Sequence, residues 1–225
     1  MRFGEREVGP GVGRFVVAAE MIGVLGGTFD PVHYGHLRPA LEVMQRLGLH
    51  QVRFIPNKVP PHRESPWLDA DDRLELLEIA IDDQPGFVLD RRELTREGRS
   101  YMVDTLESLR ADFPAEPLCL ILGMDAFLGF TQWHQWQRIP DYCHLVVTTR
   151  PGSTLDMDYI DALPATLVST GSGLIEETSG RILLQSVTQL DISASMIRAM
   201  LAEGLSVRYL LPDRVNERLM NMVKN

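Results

Sequence analysis

The feature that most constrains this chain is an apolar run that stops on a glycine pair. Met21-Ile22-Gly23-Val24-Leu25 leads directly into Gly26-Gly27-Thr28-Phe29-Asp30-Pro31-Val32-His33-Tyr34-Gly35-His36. Such a run reads as a buried strand feeding a tight loop, because glycine permits close backbone approach and positive φ. Leu37, Ala40, Leu41, Met44 and Leu47 then recur at helical spacing, which puts His36 in the first turn of a helix packed back on the sheet. First-turn amides have no intrahelical partners and sit at the positive end of the helix dipole, so an anion is favoured there.

Three readings compete for His33 and His36. A lone histidine at a helix start is commonly a cap or a surface residue. A zinc site needs further ligands, and no nearby Cys, Asp or Glu pattern completes one, so no metal ligands are assigned. The third reading is phosphate binding, in which each imidazole donates a hydrogen bond to a phosphate oxygen as a neutral tautomer or as a cation. The upstream glycine pair favours it. The motif is neither a P-loop, since no Gly-Lys-Ser/Thr follows, nor a Gly-x-Gly-x-x-Gly turn.

A chain of 225 residues can bury a full core without staples, and residues 21–225 read as one domain preceded by a loose arm over residues 1–20. The net charge of −9 argues against a nucleic-acid groove, which wants an excess of Lys and Arg. Cys119 and Cys143 each border or enter apolar runs and read as buried thiols of a reducing compartment. No stretch approaches a membrane span, and Glu20 interrupts the short apolar segment before it, so the cytoplasm is the expected location. Oligomeric state is left open, a homo-oligomer included.

Along the chain, Gln51 to Pro56 reads as a second strand, giving a strand, helix, strand unit and hence a parallel sheet. The loop after it carries Lys58, His62 and Arg63 at the same end of the sheet as the histidines. Asp69 or Asp71 caps a helix with Leu74, Leu77, Ile79 and Ile81 inward. Phe87 to Asp90 is a short strand. Ser100, Tyr101 and Met102 open a helix with Val103, Leu106 and Leu109 on one face, forming a small nest for a carboxylate.

Leu118 to Leu122 is a central strand, and Gly123 and Asp125 follow at its ligand-facing end. Trp133 and His134 come next, then the strand His144 to Thr149. Residues 153–180 read as loop, and Arg181 to Gln185 as the last strand. The fold class expected is α/β: a Rossmann-like, doubly wound, mainly parallel sheet with flanking helices, a single domain ending in a helical segment with Val215, Leu219 and Val223 inward.

A second anion site stands at Ile192-Ser193-Ala194-Ser195-Met196-Ile197-Arg198, where Ser193 is a natural N-cap and Arg198 lies one turn in. Two such sites in one α/β chain suit a polyphosphate held between helix ends.

These two stretches resemble the signature and the C-terminal phosphate motif of the nucleotidyltransferase superfamily. Within it the chain resembles the nicotinate-nucleotide adenylyltransferases, through Pro60-Pro61-His62-Arg63, Arg92-Glu93-Leu94 with Ser100-Tyr101, Gly123-Met124-Asp125, Trp133 and Arg150-Pro151-Gly152. The resemblance spans residues 21 to about 220. It implies transfer of an adenylyl group from ATP to nicotinate mononucleotide in NAD biosynthesis, with magnesium carried mainly on the ATP phosphates.

It also implies that Gly26, Gly27, Thr28, Phe29, His36, Gly123, Asp125, Ser193, Ser195 and Arg198 bind ATP, with His33, His36 and Arg198 acting on the reacting phosphates. Lys58, His62, Arg63, Ser100, Tyr101, Met102, Trp133 and His134 are then implied to bind nicotinate mononucleotide. Ser195 stands where the family usually has Thr and keeps the hydroxyl; Met102 and His134 replace a frequent Thr and Tyr. Two other readings remain open: another acceptor, such as nicotinamide mononucleotide or phosphopantetheine, and a nucleotide-binding regulator without catalysis.

Overall fold

The computed structural model describes residues 20–59, 66–150 and 156–223. Seven strands form one sheet: β1 (Ile22–Gly27), β2 (Gln51–Pro56), β3 (Phe87–Leu89), β4 (Leu118–Gly123), β5 (His144–Thr149), β6 (Thr166–Val168) and β7 (Arg181–Ser186). Their order is β3-β2-β1-β4-β5-β7-β6 and every pairing is parallel. The chain runs outward from β1 to β3 and then returns to lay β4 on the other side of β1. That reversal opens a crevice beyond the carboxyl ends of β1 and β4.

Both faces of the sheet are covered. Leu118, Leu120 and Leu122 of β4 enter one core while Cys119 and Ile121 enter the other, which is why this strand reads as unbroken apolar sequence. The helix Tyr34–Leu47 packs on the second face with the helices Ala70–Ile81, Ala194–Ala202 and Asp213–Val223, through Val43, Leu77, Ile197 and Leu219 among others. The helix Met102–Asp112 covers the first face with Val103, Leu106 and Leu109. Both cysteines are buried and free, and no described helix is long and apolar enough to cross a membrane.

Four local expectations change. The glycine pair belongs to β1 itself, with Gly26 opposite Ile55 and Gly27 opposite Pro56, and the positive φ falls on Phe29 (49°) instead. What Gly26 supplies is room, since a Cβ there would stand 2.4 Å from Met102 Cε.

Residues in the 153–180 segment, expected as loop, include the helices Met157–Asp161 and Ser172–Ile175 and the edge strand β6. Three residues are too few to show alternation, and β6 exists because β7 pairs with it. The helix Ala70–Ile81 buries Arg73 and Leu76 with Leu77 and Ile81, while Leu74 and Ile79 are only partly covered. A buried arginine is invisible to a hydrophobic pattern, so the inferred face was turned. Val223 lies in the last described turn of its helix and is 45% exposed. Of the arm expected over residues 1–20, all but Glu20 lies outside the described residues.

Candidate active site

A cavity of about 970 Å³ lies at the crevice and gathers Gly26, Gly27, Thr28 and Phe29 with His36 from the first motif. Ala194, Ser195 and Arg198 of the second motif line the same cavity. So do Ser100, Tyr101, Met102, Trp133 and His134, residues far apart in the chain.

His33 is the N-cap of the helix Tyr34–Leu47, so the cap reading of that residue is realised: its Nδ1 accepts the Gly35 amide at 3.1 Å. His36 reaches back, its Nδ1 accepting the His33 amide at 3.4 Å, and the pair forms a capping box. Since both Nδ1 atoms accept, each neutral ring carries its proton on Nε2. Burial pushes His33 down to about 4 and, with the nearby His33 ring adding to it, His36 down to about 3. Both rings are therefore neutral donors near pH 7 in the free protein. They lie 3.9 Å apart by centroid, and Phe29 presses against His36 at 5.1 Å.

The amides expected to be open at this turn are used within the protein. Tyr34 N–H donates to the Leu210 carbonyl at 3.0 Å and Gly35 N–H to His33. The donor this helix start offers the cavity is thus the His36 ring. At the second motif the expected geometry holds: Ser193 Oγ accepts the Met196 amide at 3.1 Å. The earlier first-turn amides, which helices leave without intrahelical partners, open at Ala194 and Ser195 on the cavity lining. Arg198 Nη1 donates to the Asp30 carbonyl at 2.6 Å and Nη2 to Ser195 Oγ at 3.3 Å.

At the other end, Tyr101 is the N-cap of Met102–Asp112 and makes no side-chain cap hydrogen bond, so this helix start is available to an anion. Tyr101 stacks on His134 at 4.2 Å, and Trp133 packs on Phe130 at 5.6 Å. Ser100 Oγ accepts the Lys58 amide at 3.1 Å, which fixes the start of the loop after β2.

Several residues singled out in the sequence lie off the cavity lining. His33 is buried behind His36, and Ser193 caps its helix. Gly123 caps the short helix Met124–Leu128, with Asp125 exposed in its first turn, and Lys58 is exposed. His62 and Arg63 lie outside the described residues. Conversely, Asp30, Asn57, Trp67 and Glu93 line the cavity without having been singled out as site residues. Asp30 lies within the first motif and Asn57 just after β2, so their position was the available signal. Burial pushes the Glu93 carboxyl up, opposed by hydrogen bonds from Thr105 and Ser100.

The cytidylyltransferase-like family model matches residues 24–200. A nicotinate-nucleotide adenylyltransferase of Methylococcus capsulatus is 50% identical over 202 residues, covering 88% of this chain and 95% of that protein. The chain belongs to the nicotinate-nucleotide adenylyltransferase family. Another member, from Aeromonas hydrophila, is 46% identical over 198 residues, covering 86% of this chain and 92% of that protein. The fold is shared with the nicotinic acid mononucleotide adenylyltransferase of Plasmodium falciparum solved with NaAD, at a TM-score of 0.72 and 14% identity, covering 90% and 96% of the two chains.

Proposed function

We propose that this chain transfers the adenylyl group of ATP to the 5′-phosphate of nicotinate mononucleotide, giving nicotinate adenine dinucleotide and pyrophosphate in NAD biosynthesis. The observation that carries this reading is one cavity with two kinds of anion donor. His36, Ser195 and Arg198 come from the two phosphate motifs, while the uncapped helix start at Tyr101 lies with Trp133 on the same lining.

No protein nucleophile is needed, because the acceptor phosphate is ionised near neutral pH. Its oxygen forms a bond to the α-phosphorus of ATP as the bond to the β-phosphate oxygen breaks, and that oxygen leaves with the electron pair. The chain brings the two charged groups into line and absorbs charge on the leaving pyrophosphate. His36 donates Nε2–H to a phosphate oxygen, and His33 holds the helix start and the ring of His36 in place. Arg198 and the amides at Ala194 and Ser195 hold the remaining triphosphate oxygens.

Gly26 and Gly27 let the nucleotide approach β1 closely. The carboxylate of nicotinate takes the amides opening at Met102, and Trp133 stacks on the pyridine ring. Lys58, His62 and Arg63 serve the acceptor phosphate, and Gly123 and Asp125 the adenosine end.

The magnesium implied with ATP would be held mainly by the triphosphate oxygens. Among the described residues no three His, Cys, Asp or Glu gather to hold a metal, and the Asp30 carboxylate is already engaged by two amides. Held there, the ion would supply charge neutralisation for the leaving pyrophosphate, beside the donors of His36 and Arg198. The buried free thiols fit a reducing, cytoplasmic setting.

The deciding experiment supplies ATP and magnesium with nicotinate mononucleotide, nicotinamide mononucleotide or phosphopantetheine and measures dinucleotide and pyrophosphate. Preferential formation of nicotinate adenine dinucleotide is expected. Preference for either other acceptor, or binding of ATP without turnover of any of the three, overturns the reading.

A further inference from the structure

Asp30 lies inside the first motif and is 6% exposed. Its carboxylate accepts the Leu68 amide at 3.0 Å through Oδ1 and the Trp67 amide at 2.8 Å through Oδ2. These two bonds secure the chain where it leaves the segment following β2. The same Oδ2 faces Arg198 Nη1 at 3.5 Å, and that nitrogen also donates to the Asp30 carbonyl at 2.6 Å. One residue therefore holds the guanidinium by two oxygens and, at the same time, two backbone amides of a third chain segment.

A carboxylate that accepts two backbone amides is already compensated for burial and has no need of an arginine for that purpose. Arginine gains more from the contact. Its donors form a rigid planar fork, so fastening Nη1 on Asp30 and Nη2 on Ser195 sets the plane of the whole group. The donors left over belong to a side chain that lines the same cavity as Asp30 and Ser195. Arg73 is also coupled by charge to Asp30, but its Nη1 is taken up by the carbonyls of Thr28 and Asn57.

We propose that Asp30 is the positioning residue that aims the Arg198 guanidinium at the nucleotide phosphates. This rests on the adenylyl-transfer reading above. The negative charge of Asp30 moderates the pull of Arg198 on ground-state ATP while fixing the geometry needed as charge moves onto pyrophosphate. Removing that charge leaves Arg198 on the Asp30 carbonyl and Ser195 Oγ but takes away the Oδ2 contact, so the guanidinium is held less firmly and pulls harder on ground-state ATP. The expected signature is a loss in kcat without a loss in ATP affinity.

The test compares wild type, Asp30→Asn, Arg198→Ala and the double variant, with kcat and KM for ATP and nicotinate mononucleotide and a thermal melt for each. Asp30→Asn should lower kcat about 10- to 100-fold while the KM for ATP stays within about threefold or falls. In the Arg198→Ala background the same change should alter kcat by no more than about twofold. Equal fold-losses in both backgrounds, or a raised KM for ATP with kcat kept, overturn the proposal, because a purely structural role predicts one or the other.

Should Asp30→Asn fail to fold, Arg198→Lys keeps the charge and loses the fork. Its kcat should fall at least about tenfold with the KM for ATP retained, and a wild-type kcat overturns the proposal. A wild-type protein that makes no dinucleotide refutes the underlying reading instead, so the two failures are distinct.

Discussion

The carbonyl oxygen of Ile192 lies 2.9 Å from where a Cβ on Gly35 would stand, and the His33 ring crowds the same point at 2.9 Å. The two motifs that begin at His33 and Ser193 therefore meet backbone to backbone, and only glycine allows it. Gly35→Ala should push the helix starts apart, costing about 2 kcal/mol of stability. It should also lower kcat/KM about 100-fold, since an ångström of misalignment is costly for an in-line transfer. Urea denaturation and steady-state kinetics check this; an unchanged kcat/KM means the spacing of the motifs is not set by this contact.

The neutral histidines make two pH predictions. In the unfolded chain each titrates near 6.5, but in the folded protein near 4 for His33 and near 3 for His36. Below 6.5 the unfolded chain takes up protons that the native state refuses, so stability is complete above that pH and falls as pH drops towards 4. The slope is about 1.4 kcal/mol per pH unit for each histidine. Urea unfolding from pH 7 to 4 should show it, and His36→Asn should reduce it by about half. Because the rings act as neutral donors, kcat/KM should not decline from pH 6 to 8; a decline would mean that the free enzyme needs an imidazolium.

The sheet and the two capped helix starts at the crevice were legible because long apolar runs ending in glycine, and caps followed by helical spacing, are local signals. Ser193 and the helix opening at Met102 behave as their neighbours in sequence dictate. What was not legible depends on distant partners. The β6 strand is defined only by its pairing with β7, and Asp30 gains its role from Trp67, Leu68 and Arg198. The amides at Tyr34 and Gly35 looked open from the sequence, and the Leu210 carbonyl and the His33 ring close them.

Glu42 is a further case of distant pairing with a measurable consequence. It is buried on the helix Tyr34–Leu47 and accepts the Thr188 amide at 3.0 Å and Arg38 Nε at 2.6 Å. The Thr188 amide, then Arg38, hold its carboxyl down to about 2 against the opposing effect of burial, from an ordinary value of 4.5. Its contribution is present above pH 4.5 and is lost as pH falls towards 2. Glu42→Gln keeps an acceptor for Thr188 but loses the charge, and should cost about 1–2 kcal/mol at pH 7. The difference from wild type should shrink as pH falls from 4.5, as read by chemical denaturation; a difference independent of pH would remove the charge from the explanation.

Arg73 gives the most direct test of how the cavity is held from beneath. It is 1% exposed, and its Nη1 donates to the Thr28 carbonyl at 2.8 Å and the Asn57 carbonyl at 2.9 Å, tying the segment after β1 to the segment after β2. Burial lowers the affinity of the guanidinium for its proton, and the negative charges of Asp30 and Asp69 offset part of that cost. Arg73→Met fills similar volume but leaves two carbonyls without their donor, so the variant should lose about 3 kcal/mol in urea denaturation. Thr28 and Asn57 both line the cavity, so the KM values should rise even at temperatures where the variant remains folded. Arg73→Lys, which keeps one donor within reach of either carbonyl but lacks the planar fork, should fall between the two. Wild-type stability and KM in Arg73→Met would show that water satisfies both carbonyls and that the two segments hold their places without the arginine.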